Sequence, residues 1–255
     1  MEYAVVNVPA APVRLKPRHQ REMVNQLLFG EKVRIIKEKG ALWVKVQSLH
    51  DNYEGWMTSN LLQAITEAEA KTPATYIASG IINTVTIHAS SLQIPAGAYL
   101  NNYKDRVGKT GTTDYRFEGE MTDSMSVQPS AALAEQLTKR WLNVPYLWGG
   151  RTVFGIDCSG FVQVNFRLMG VPLPRDAWQQ AQEGEPVKKL KDAVTGDLAF
   201  FDDKDEIVHV GMLLNSEEII HASGKVRVDQ IDKKGIIHSE NGKRTHQLKA
   251  IRRYW

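Results

Sequence analysis

The sequence has one cysteine, no long apolar run and no strongly basic segment, and each absence argues against a class of protein. One cysteine among 255 residues cannot form a disulfide within the chain. No stretch approaches the ~18 consecutive apolar residues of a membrane-spanning helix. The 32 Lys and Arg residues are balanced by 29 Asp and Glu residues and do not alternate with aromatic residues. We therefore expect no nucleic-acid partner and no membrane span.

The N-terminus also lacks the features of a signal peptide. Residues 1–9 do not contain a basic segment followed by a long apolar core. We expect a cytoplasmic protein, or a secreted or periplasmic one if a signal peptide has been removed. The chain exceeds the usual size of a single domain, so two or three compact units are predicted.

Cys158 lies where a helical pattern of apolar residues begins. Phe161, Val162 and Phe166 follow it at helical spacing, and Gly170 provides a stop signal. Cys158 is therefore predicted to lie in the first turn of a helix, where unpaired N–H groups and the helix dipole favour the thiolate. We expect a nucleophile with a pKa below the ordinary value, rather than a small buried apolar residue.

Two histidines follow in segments with the pattern of β-strands. Residues 207–214 and 218–222 are rich in branched apolar side chains, with turn residues between them. The segments are predicted to form a hairpin whose paired positions sum to about 430 to 433. His209 and His221 would then be cross-strand neighbours, with one nitrogen of His209 bonded to His221 and the other free for a third group.

The same three side chains also match a ligand set that proteins use for zinc or copper. A cysteine at a helix start, followed by Ser and Gly without a second thiol, is a poor metal ligand. The pattern favours cysteine catalysis assisted by histidine, which requires neither a metal nor an organic cofactor. His238 and His246 have no comparable motif and are predicted to be surface residues.

Together these motifs resemble the NlpC/P60 cysteine peptidases of bacterial cell-wall metabolism. The resemblance covers residues 133–255 and rests on PYLWGG at 145–150, DCSGFVQ at 157–163, HVGM at 209–212 and IHA at 220–222. It implies a reduced papain-like α+β fold, with the cysteine on a helix packed against an antiparallel sheet that carries the histidines. It also implies a catalytic triad of Cys158, His209 and His221, with Tyr146 as an oxyanion or substrate contact.

The N-terminal half is rich in short strand patterns separated by turn residues, which is typical of small barrels. The segment 4–63 is similar to bacterial SH3-type domains. A polar hinge is predicted at 67–73, followed by a second, less clearly marked SH3-like unit. The strand-like runs are residues 33–37, 42–46, 55–57, 76–78, 84–87 and 98–100.

The predicted fold class is therefore multidomain, with two small all-β SH3-like barrels followed by an α+β papain-like NlpC/P60 domain. The predicted boundaries are 1–65 for the first SH3-like domain, 66–124 for the second and 125–255 for the peptidase domain. Ser130 is predicted to cap a helix over 131–141.

This domain order is similar to that of the γ-D-glutamyl-L-diamino acid endopeptidases, which degrade murein peptides. The resemblance implies that the first SH3-like unit helps to hold the free amino end of the substrate. Acidic candidates for that amine could also be solvated surface groups, and a tyrosine could simply pack in a barrel. The substrate-binding candidates are Asp157, Ser159, Asp176, Tyr53 and Glu22.

The implied activity is that of a cysteine endopeptidase. It would hydrolyse the γ-D-glutamyl-L-diamino acid bond of murein peptides with a free N-terminal L-Ala, in cell-wall peptide degradation or recycling. Two alternatives stay open. One is a cell-wall amidase or acyltransferase with the same Cys/His/His site, and the other is a wall-binding protein that acts through its SH3-like domains. The expected partners are the murein peptide and, through those domains, the cell wall.

Overall fold

The computed structural model describes residues 2–204 and 206–255, which divide into two compact units. The first unit ends at Val127 and also contains Trp148–Val153. The second unit consists of Gln128–Leu147 and Phe154–Trp255. No helix in the described part of the chain has the length and the hydropathy that crossing a membrane would require.

The first seven strands form one antiparallel sheet in the order β3-β2-β6-β5-β4-β1-β7. Buried residues alternate with half-buried ones along β5, so that Val44 and Val46 point into the core. The apolar core formed in this way includes Ala4, Val13 and Met57. The strands are β1 (Tyr3–Val6), β2 (Ala10–Arg14), β3 (Met23–Leu28), β4 (Lys32–Lys39), β5 (Trp43–Ser48), β6 (Glu54–Thr58) and β7 (Leu62–Ile65).

The segment predicted as a polar hinge contains a short helix, α1 (Glu67–Lys71). Thr66 Oγ1 accepts a hydrogen bond from the Glu69 N–H, and the Glu69 carboxylate accepts one from the Thr66 N–H. This reciprocal capping box stabilises a helix start that has no buried residue. The segment predicted as a polar hinge is therefore ordered by local capping.

A second all-β part follows in the first unit, built from a four-stranded and a three-stranded sheet. Its core includes Leu28 and Phe29, which precede a tight turn at Gly30. Gly30 has a φ of +79°, and a Cβ atom there would lie 2.0 Å from the Tyr99 carbonyl oxygen. The strands are β8 (Tyr76–Ala78), β9 (Ile82–Ile87), β10 (Ser90–Pro95), β11 (Tyr99–Leu100), β12 (Val107–Thr110), β13 (Thr113–Glu118) and β14 (Met121–Asp123).

A buried ion pair holds Trp148–Val153 in the first unit. Arg151 Nη1 and Nη2 donate to Glu31 Oε2 and Oε1 at 3.0 and 2.9 Å, and neither side chain is exposed. The Arg151 N–H also donates to Gln26 Oε1 at 2.8 Å. This planar, two-bond pairing satisfies both charges and fixes the segment that follows the Tyr-Leu-Trp-Gly-Gly motif.

The second unit combines a closed sheet with three helices. Ser130 caps α2 through the Leu133 N–H at 3.2 Å, as predicted. The described helices of the second unit are α2 (Ala131–Lys139), α3 (Cys158–Leu168) and α4 (Ala177–Gln180). Shorter elements of the chain are β15 (Arg151–Thr152), β16 (Gly155–Ile156), β17 (Glu185–Pro186) and the 3-10 turns Ser59–Leu61 and Leu190–Asp192.

The sheet of the second unit has the order β17-β23-β18-β19-β20-β21-β22, and β22 also pairs with β23. The described strands from β18 to β23 therefore form a closed ring. Apolar side chains such as Phe201, Leu213 and Ile236 form a cluster on one face of this sheet. The strands are β18 (Leu198–Asp203), β19 (Glu206–Leu213), β20 (Glu218–Ser223), β21 (Lys225–Asp232), β22 (Gly235–Ile237) and β23 (Arg244–Arg253).

The predicted strand positions agree well with the observed ones, whereas one part of the domain organisation was not foreseen. Trp148–Val153 belongs to the first compact unit although it follows the start of the second. The boundaries 1–65, 66–124 and 125–255 stay predictions, as does the SH3-like nature of the second all-β part.

Candidate active site

Cys158 is the first residue of α3, as the sequence pattern predicts. Asp157 precedes it with extended backbone, and Asp157 Oδ1 accepts a hydrogen bond of 2.7 Å from the Gly160 N–H. An aspartate at this position satisfies one of the unpaired N–H groups of the first turn. All eleven residues of α3 are buried, and the helix packs against β19 and β20. The cysteine is therefore held by a helix in the interior of the second unit.

The Cys158 thiol is more buried than the sequence suggests. The residue is 5% exposed, and burial raises the pKa of its thiol to about 12, with the Asp157 carboxylate acting in the same direction. The Val210 N–H donates to the sulfur and opposes this increase, but does not overcome it. The expectation of a lowered pKa was therefore wrong, because desolvation outweighs the helix terminus. The resting group is a neutral thiol.

The predicted hairpin of β19 and β20 is present, with a register inside the predicted range. Met212 pairs with Ile220, so paired positions sum to 432 and the two histidines are diagonal rather than directly opposite. They are still in contact, since His209 Nε2 lies 2.9 Å from His221 Nδ1. Both are buried, with exposures of 5% and 0%. His209 precedes Val210, whose N–H reaches the Cys158 sulfur, so the thiol and the histidines share one site.

Asp229 extends this series of hydrogen bonds and was not predicted from the sequence. Its Oδ2 lies 3.0 Å from His221 Nε2, and it also accepts from Arg227 Nε at 2.9 Å. Its other oxygen accepts from the N–H and the hydroxyl of Ser239. Burial alone would favour the acid, but the bonds from His221, Ser239 and Arg227 lower the pKa of Asp229 below its ordinary range. Asp229 is therefore a carboxylate.

An ionised Asp229 determines the tautomers of both histidines. Since a carboxylate only accepts, His221 Nε2 carries a proton and donates to it, and a neutral His221 then has a bare Nδ1. That nitrogen accepts from His209 Nε2–H, so Nδ1 of His209 is unprotonated. His209 is thus in the state that a general base for the thiol requires.

His246 was predicted to be a surface residue; it is half-buried, and the prediction missed that its ring contacts the site. Its ring stacks on that of His209 with a centroid distance of 4.2 Å and an interplanar angle of 23°. Phe201 also contacts His209, with ring centroids 5.8 Å apart. His246 lies on β23, 37 positions beyond His209, and no short motif surrounds it. Only the closure of the sheet brings it into the site.

Burial and mutual repulsion keep the histidine cluster uncharged. The pKa of His209 is well below its ordinary value because the ring is buried, with further lowering by His221, His246 and Arg227. Burial also lowers the pKa of His221, although Asp229 opposes this. The pKa of His246 is lowered to about 4, mainly by burial. A thiol next to neutral imidazoles is the resting state that these shifts define.

Tyr146 lies close enough to Cys158 for their charges to interact. Its N–H donates to the Gly224 carbonyl at 2.9 Å, which anchors the residue beside the start of β21. Burial raises the pKa of its phenol, and the Cys158 and Asp157 charges raise it further. Tyr146 therefore stays a protonated donor near the thiol, which is the chemistry that an oxyanion contact needs.

Asp157 and Ser159 are joined by a residue that the sequence did not single out, Arg175. Arg175 Nη1 and Nη2 donate to Asp157 Oδ1 and Oδ2 at 3.0 and 2.5 Å. Arg175 Nη1 also donates to Ser159 Oγ at 2.8 Å. All three residues are buried. The role of Asp157 as an amine ligand stays a prediction, and it requires the amine to share this carboxylate with a guanidinium.

The other substrate-binding candidates occupy three different environments. Asp176 is half-buried and precedes α4, where its N–H donates to Gln179 Oε1 at 3.2 Å. Glu22 and Tyr53 belong to the first unit. Glu22 is exposed, whereas Tyr53 is half-buried and its hydroxyl donates to the Val24 carbonyl at 3.5 Å. The part of these three residues in substrate binding stays a prediction.

Two known protein families match parts of the chain. Residues 143–244 match the NlpC/P60 family, and residues 13–62 match the bacterial dipeptidyl-peptidase SH3 domain. The first range includes Cys158, His209, His221 and Asp229, while His246 lies just beyond it. The second includes Glu22.

Relatives match over most of the chain. A γ-D-glutamyl-L-lysine dipeptidyl-peptidase of Bacillus subtilis is 33% identical over 217 residues, which are 77% of this chain and 71% of the relative. Dipeptidyl-peptidase 6 of Lysinibacillus sphaericus is 27% identical over 93% of this chain and 95% of its own length. The chain therefore belongs to the NlpC/P60 family of cysteine peptidases. It combines that peptidase domain with an N-terminal bacterial SH3 domain.

Solved structures agree on the fold. An NlpC/P60 family protein from Bacillus cereus has a TM-score of 0.81 at 22% identity, over 99% of both chains. An NlpC/P60 endopeptidase from Photobacterium damselae has a TM-score of 0.72 at 16% identity, over 97% of this chain and 70% of its own. The predicted multidomain class, with SH3-like β structure before a peptidase domain, is confirmed.

Proposed function

We propose that this enzyme hydrolyses the γ-D-glutamyl-L-diamino acid bond of murein peptides that have a free N-terminal L-Ala. The observation that carries the proposal is the hydrogen-bonded series from His209 through His221 to Asp229 beside the single thiol. The names of relatives support the substrate class, since those from Bacillus subtilis and Bacillus cereus are γ-D-glutamyl-L-lysine dipeptidyl-peptidases.

The proposed reaction begins with a proton transfer. His209 Nδ1 takes the proton of the Cys158 thiol as the sulfur attacks the γ-carbonyl carbon of D-Glu. Because burial opposes both charges of this pair, the transfer occurs with attack rather than before it. In this mechanism the Cys158 N–H and the Tyr146 hydroxyl donate to the oxyanion. The imidazolium is stabilised by His221, whose other nitrogen donates to Asp229.

The second half of the reaction reverses these roles. His209 donates its proton to the amine of the diamino acid as the C–N bond breaks, which leaves a thioester on Cys158. His209 then removes a proton from water, and the hydroxide adds to the thioester carbonyl. Cleavage of the C–S bond releases L-Ala-D-Glu and restores the thiol, with its proton returned by His209.

Substrate selection is proposed to depend on a free amino terminus. Within the second unit, Asp157 and Asp176 supply carboxylates of the kind that bind an ammonium ion, and Ser159 bonds to both Asp157 and Arg175. Glu22 and Tyr53, in the first unit, stay separate candidates from the sequence. A carboxylate that binds an ammonium ion discriminates against the acetylated analogue, which carries no positive charge. A peptide with a blocked alanine should therefore react much more slowly.

The test is a pair of synthetic peptides, L-Ala-γ-D-Glu-L-Lys and its N-acetylated form, at equal concentration. We expect mass spectrometry to detect L-Ala-D-Glu and Lys from the free peptide, with a much lower rate for the blocked one. Cys158→Ala, which lacks the proposed nucleophile, is the negative control. Equal rates for both peptides would eliminate the amine requirement, and cleavage at another bond would favour the amidase or acyltransferase alternative.

The same substrate suggests where the enzyme acts. A free L-Ala amine exists only after the peptide has been released from its glycan attachment, which suits recycling in the cytoplasm. Contact with the wall through the SH3-like domains predicts a different result, namely retention of the protein on insoluble sacculi. A sedimentation assay with purified sacculi separates the two proposals.

A further inference from the structure

We propose that His246 is a positioning residue for this reaction, whose stacked ring fixes the plane in which His209 presents Nδ1 to the Cys158 thiol. The inference rests on the proposed role of His209. It concerns a residue outside the range 143–244 that matches the family.

The first support is the geometry of the rings. His246 lies nearly parallel to His209, with centroids 4.2 Å apart, and meets His221 and Phe201 edge-on at 5.9 Å. His209 has a second aromatic neighbour in Phe201, which is its cross-strand partner. The hydrogen bond to His221 fixes one atom of the His209 ring but permits rotation about that bond. A flat ring stacked on its face removes this freedom.

The second support is that the backbone at His246 is held independently of its side chain. His246 pairs with Ile236 across β22 and β23. A Cβ atom on Gly235, which has a φ of +135°, would lie 1.7 Å from the His246 carbonyl oxygen. Glycine at 235 therefore permits an unusually close approach of the two strands at this point. Thr245 Oγ1 also lies 2.8 Å from His246 Nδ1 and fixes the ring orientation.

The third support is electrostatic. The titratable or charged groups around His209 are His246 on β23, His221 on β20, Arg227 and Asp229 on β21, and Cys158 on α3. His246 lowers the pKa of His209, and its own pKa is about 4. On acidification, charge on His246 therefore opposes protonation of His209. A phenyl ring at position 246 would keep the stacking and lose this effect.

The experiment compares three substitutions at position 246 with one control on the same strand. His246→Leu fills the space without a flat ring, His246→Ala empties it, and His246→Phe restores a flat ring. Gln247→Ala is the control, because Gln247 is the exposed neighbour on β23. Steady-state kinetics with L-Ala-γ-D-Glu-L-Lys and equilibrium unfolding are measured for each.

We expect His246→Leu and His246→Ala to lower kcat about tenfold or more with little change in KM, as for misplacement of a catalytic group. His246→Phe should recover kcat to within about threefold of the wild type. Its acid limb of kcat/KM should move to higher pH, since loss of His246 raises the pKa of His209. NMR relaxation of the His209 ring should report a more mobile ring in His246→Leu and His246→Ala than in the wild type and His246→Phe, with the same tautomer in all four, since Asp229 and His221 determine it.

Two results would overturn the inference. Wild-type kcat in His246→Leu would show that the stacked ring is dispensable, and equal damage in His246→Phe and His246→Leu would show that planarity is not what matters. Failure of the proposed function is a separate result, since the wild type would then not cleave the peptide. The NMR comparison of His209 ring mobility would still decide the positioning role in that case.

Discussion

Gly211 lies beside His221 on the neighbouring strand, where a Cβ atom would come within 2.8 Å of the His221 Cβ. The two positions also sum to 432, which is the register of this hairpin. A glycine opposite His221 leaves the space into which the two imidazoles extend diagonally toward each other. In the motif His-Val-Gly-Met, the glycine, which has no side chain, is therefore as specific a requirement as the histidine.

Gly211→Ala should impair catalysis by displacing His221. The added methyl group would lie within 3 Å of both the His221 and the Ile219 side chains, so one of them must move. We expect kcat to fall about tenfold or more, and stability to fall by about 1 to 3 kcal/mol. Gly108→Ala is a matched control, because its Cβ would meet the Tyr115 ring at 2.2 Å in the first unit. That variant should lose stability at unchanged kcat, and an equal loss of kcat in both would contradict the argument.

Asp229→Asn should lower kcat strongly with a smaller effect on KM. The amide removes the charge that stabilises the imidazolium and the preference for the productive tautomers, an effect that reaches about 10⁴-fold in serine proteases. We expect a loss of about a hundredfold or more. Asp232→Asn, on the same strand but in an exposed pair with Arg244, is the control. Wild-type activity in both variants would show that Asp229 has no part in catalysis.

Alkylation of Cys158 should be slow and should accelerate with pH. With a thiol pKa of about 12, only about one molecule in ten thousand carries a thiolate at pH 8. The rate of iodoacetamide labelling, followed by intact mass, should rise about tenfold per pH unit from pH 7 to 9. One label per chain is expected, since there is one cysteine. A rate that is already constant above pH 6 would instead indicate a preformed thiolate–imidazolium pair.

Stability should fall as the solution is acidified below pH 6.5. His209, His221 and His246 all have lowered pKa values in the folded protein, so the unfolded chain binds more protons in this range. Their contribution is fully present above the unfolded pKa of 6.5 and is lost as pH falls through the folded values, for His246 about 4. Each histidine adds a slope of up to about 1.4 kcal/mol per pH unit. Urea unfolding from pH 4.5 to 7.5 measures this, and His246→Phe should have the smaller slope.

Arg151→Ala should destabilise the first unit by about 3 to 5 kcal/mol, because it removes the guanidinium that pairs with the buried Glu31 carboxylate through two bonds. The exposed pair of Lys45 and Glu54 provides the comparison, and Lys45→Ala should cost at most about 1 kcal/mol. Thermal unfolding of both variants checks the difference. Similar small costs would mean that Glu31 is protonated or solvated in the variant.

Local sequence patterns predicted the parts of the site that are close together in the chain. The helix start at Cys158 follows from apolar spacing and an aspartate cap, and the contact of His209 with His221 follows from two strands joined by a short turn. Asp229 lies eight residues beyond His221 on the next strand, where an aspartate has no distinctive motif. Its contribution depends on which face of β21 points inward, and the sequence alone did not fix that register.

The remaining differences come from burial and from closure of the sheet. The pKa of Cys158 depends on how completely its surroundings exclude water, and the helix position alone predicts the opposite direction. His246 reaches the site only because β23 pairs with both β18 and β22. Contacts between residues so far apart in the sequence leave no periodic pattern in the short windows from which strands and helices are predicted.

The closing position of β23 has a consequence for biosynthesis. The ribosome makes this strand after the other strands of the ring, so a nascent chain that ends before Arg244 has no partner for the outer edges of β18 and β22. Cys158, His209 and His221 are then already translated, but the ring of strands that carries the two histidines is open. The ring therefore cannot close before β23 is available. Ribosome-bound chains arrested before and after β23 should differ in labelling by an active-site-directed thiol reagent, and equal labelling would contradict this order of assembly.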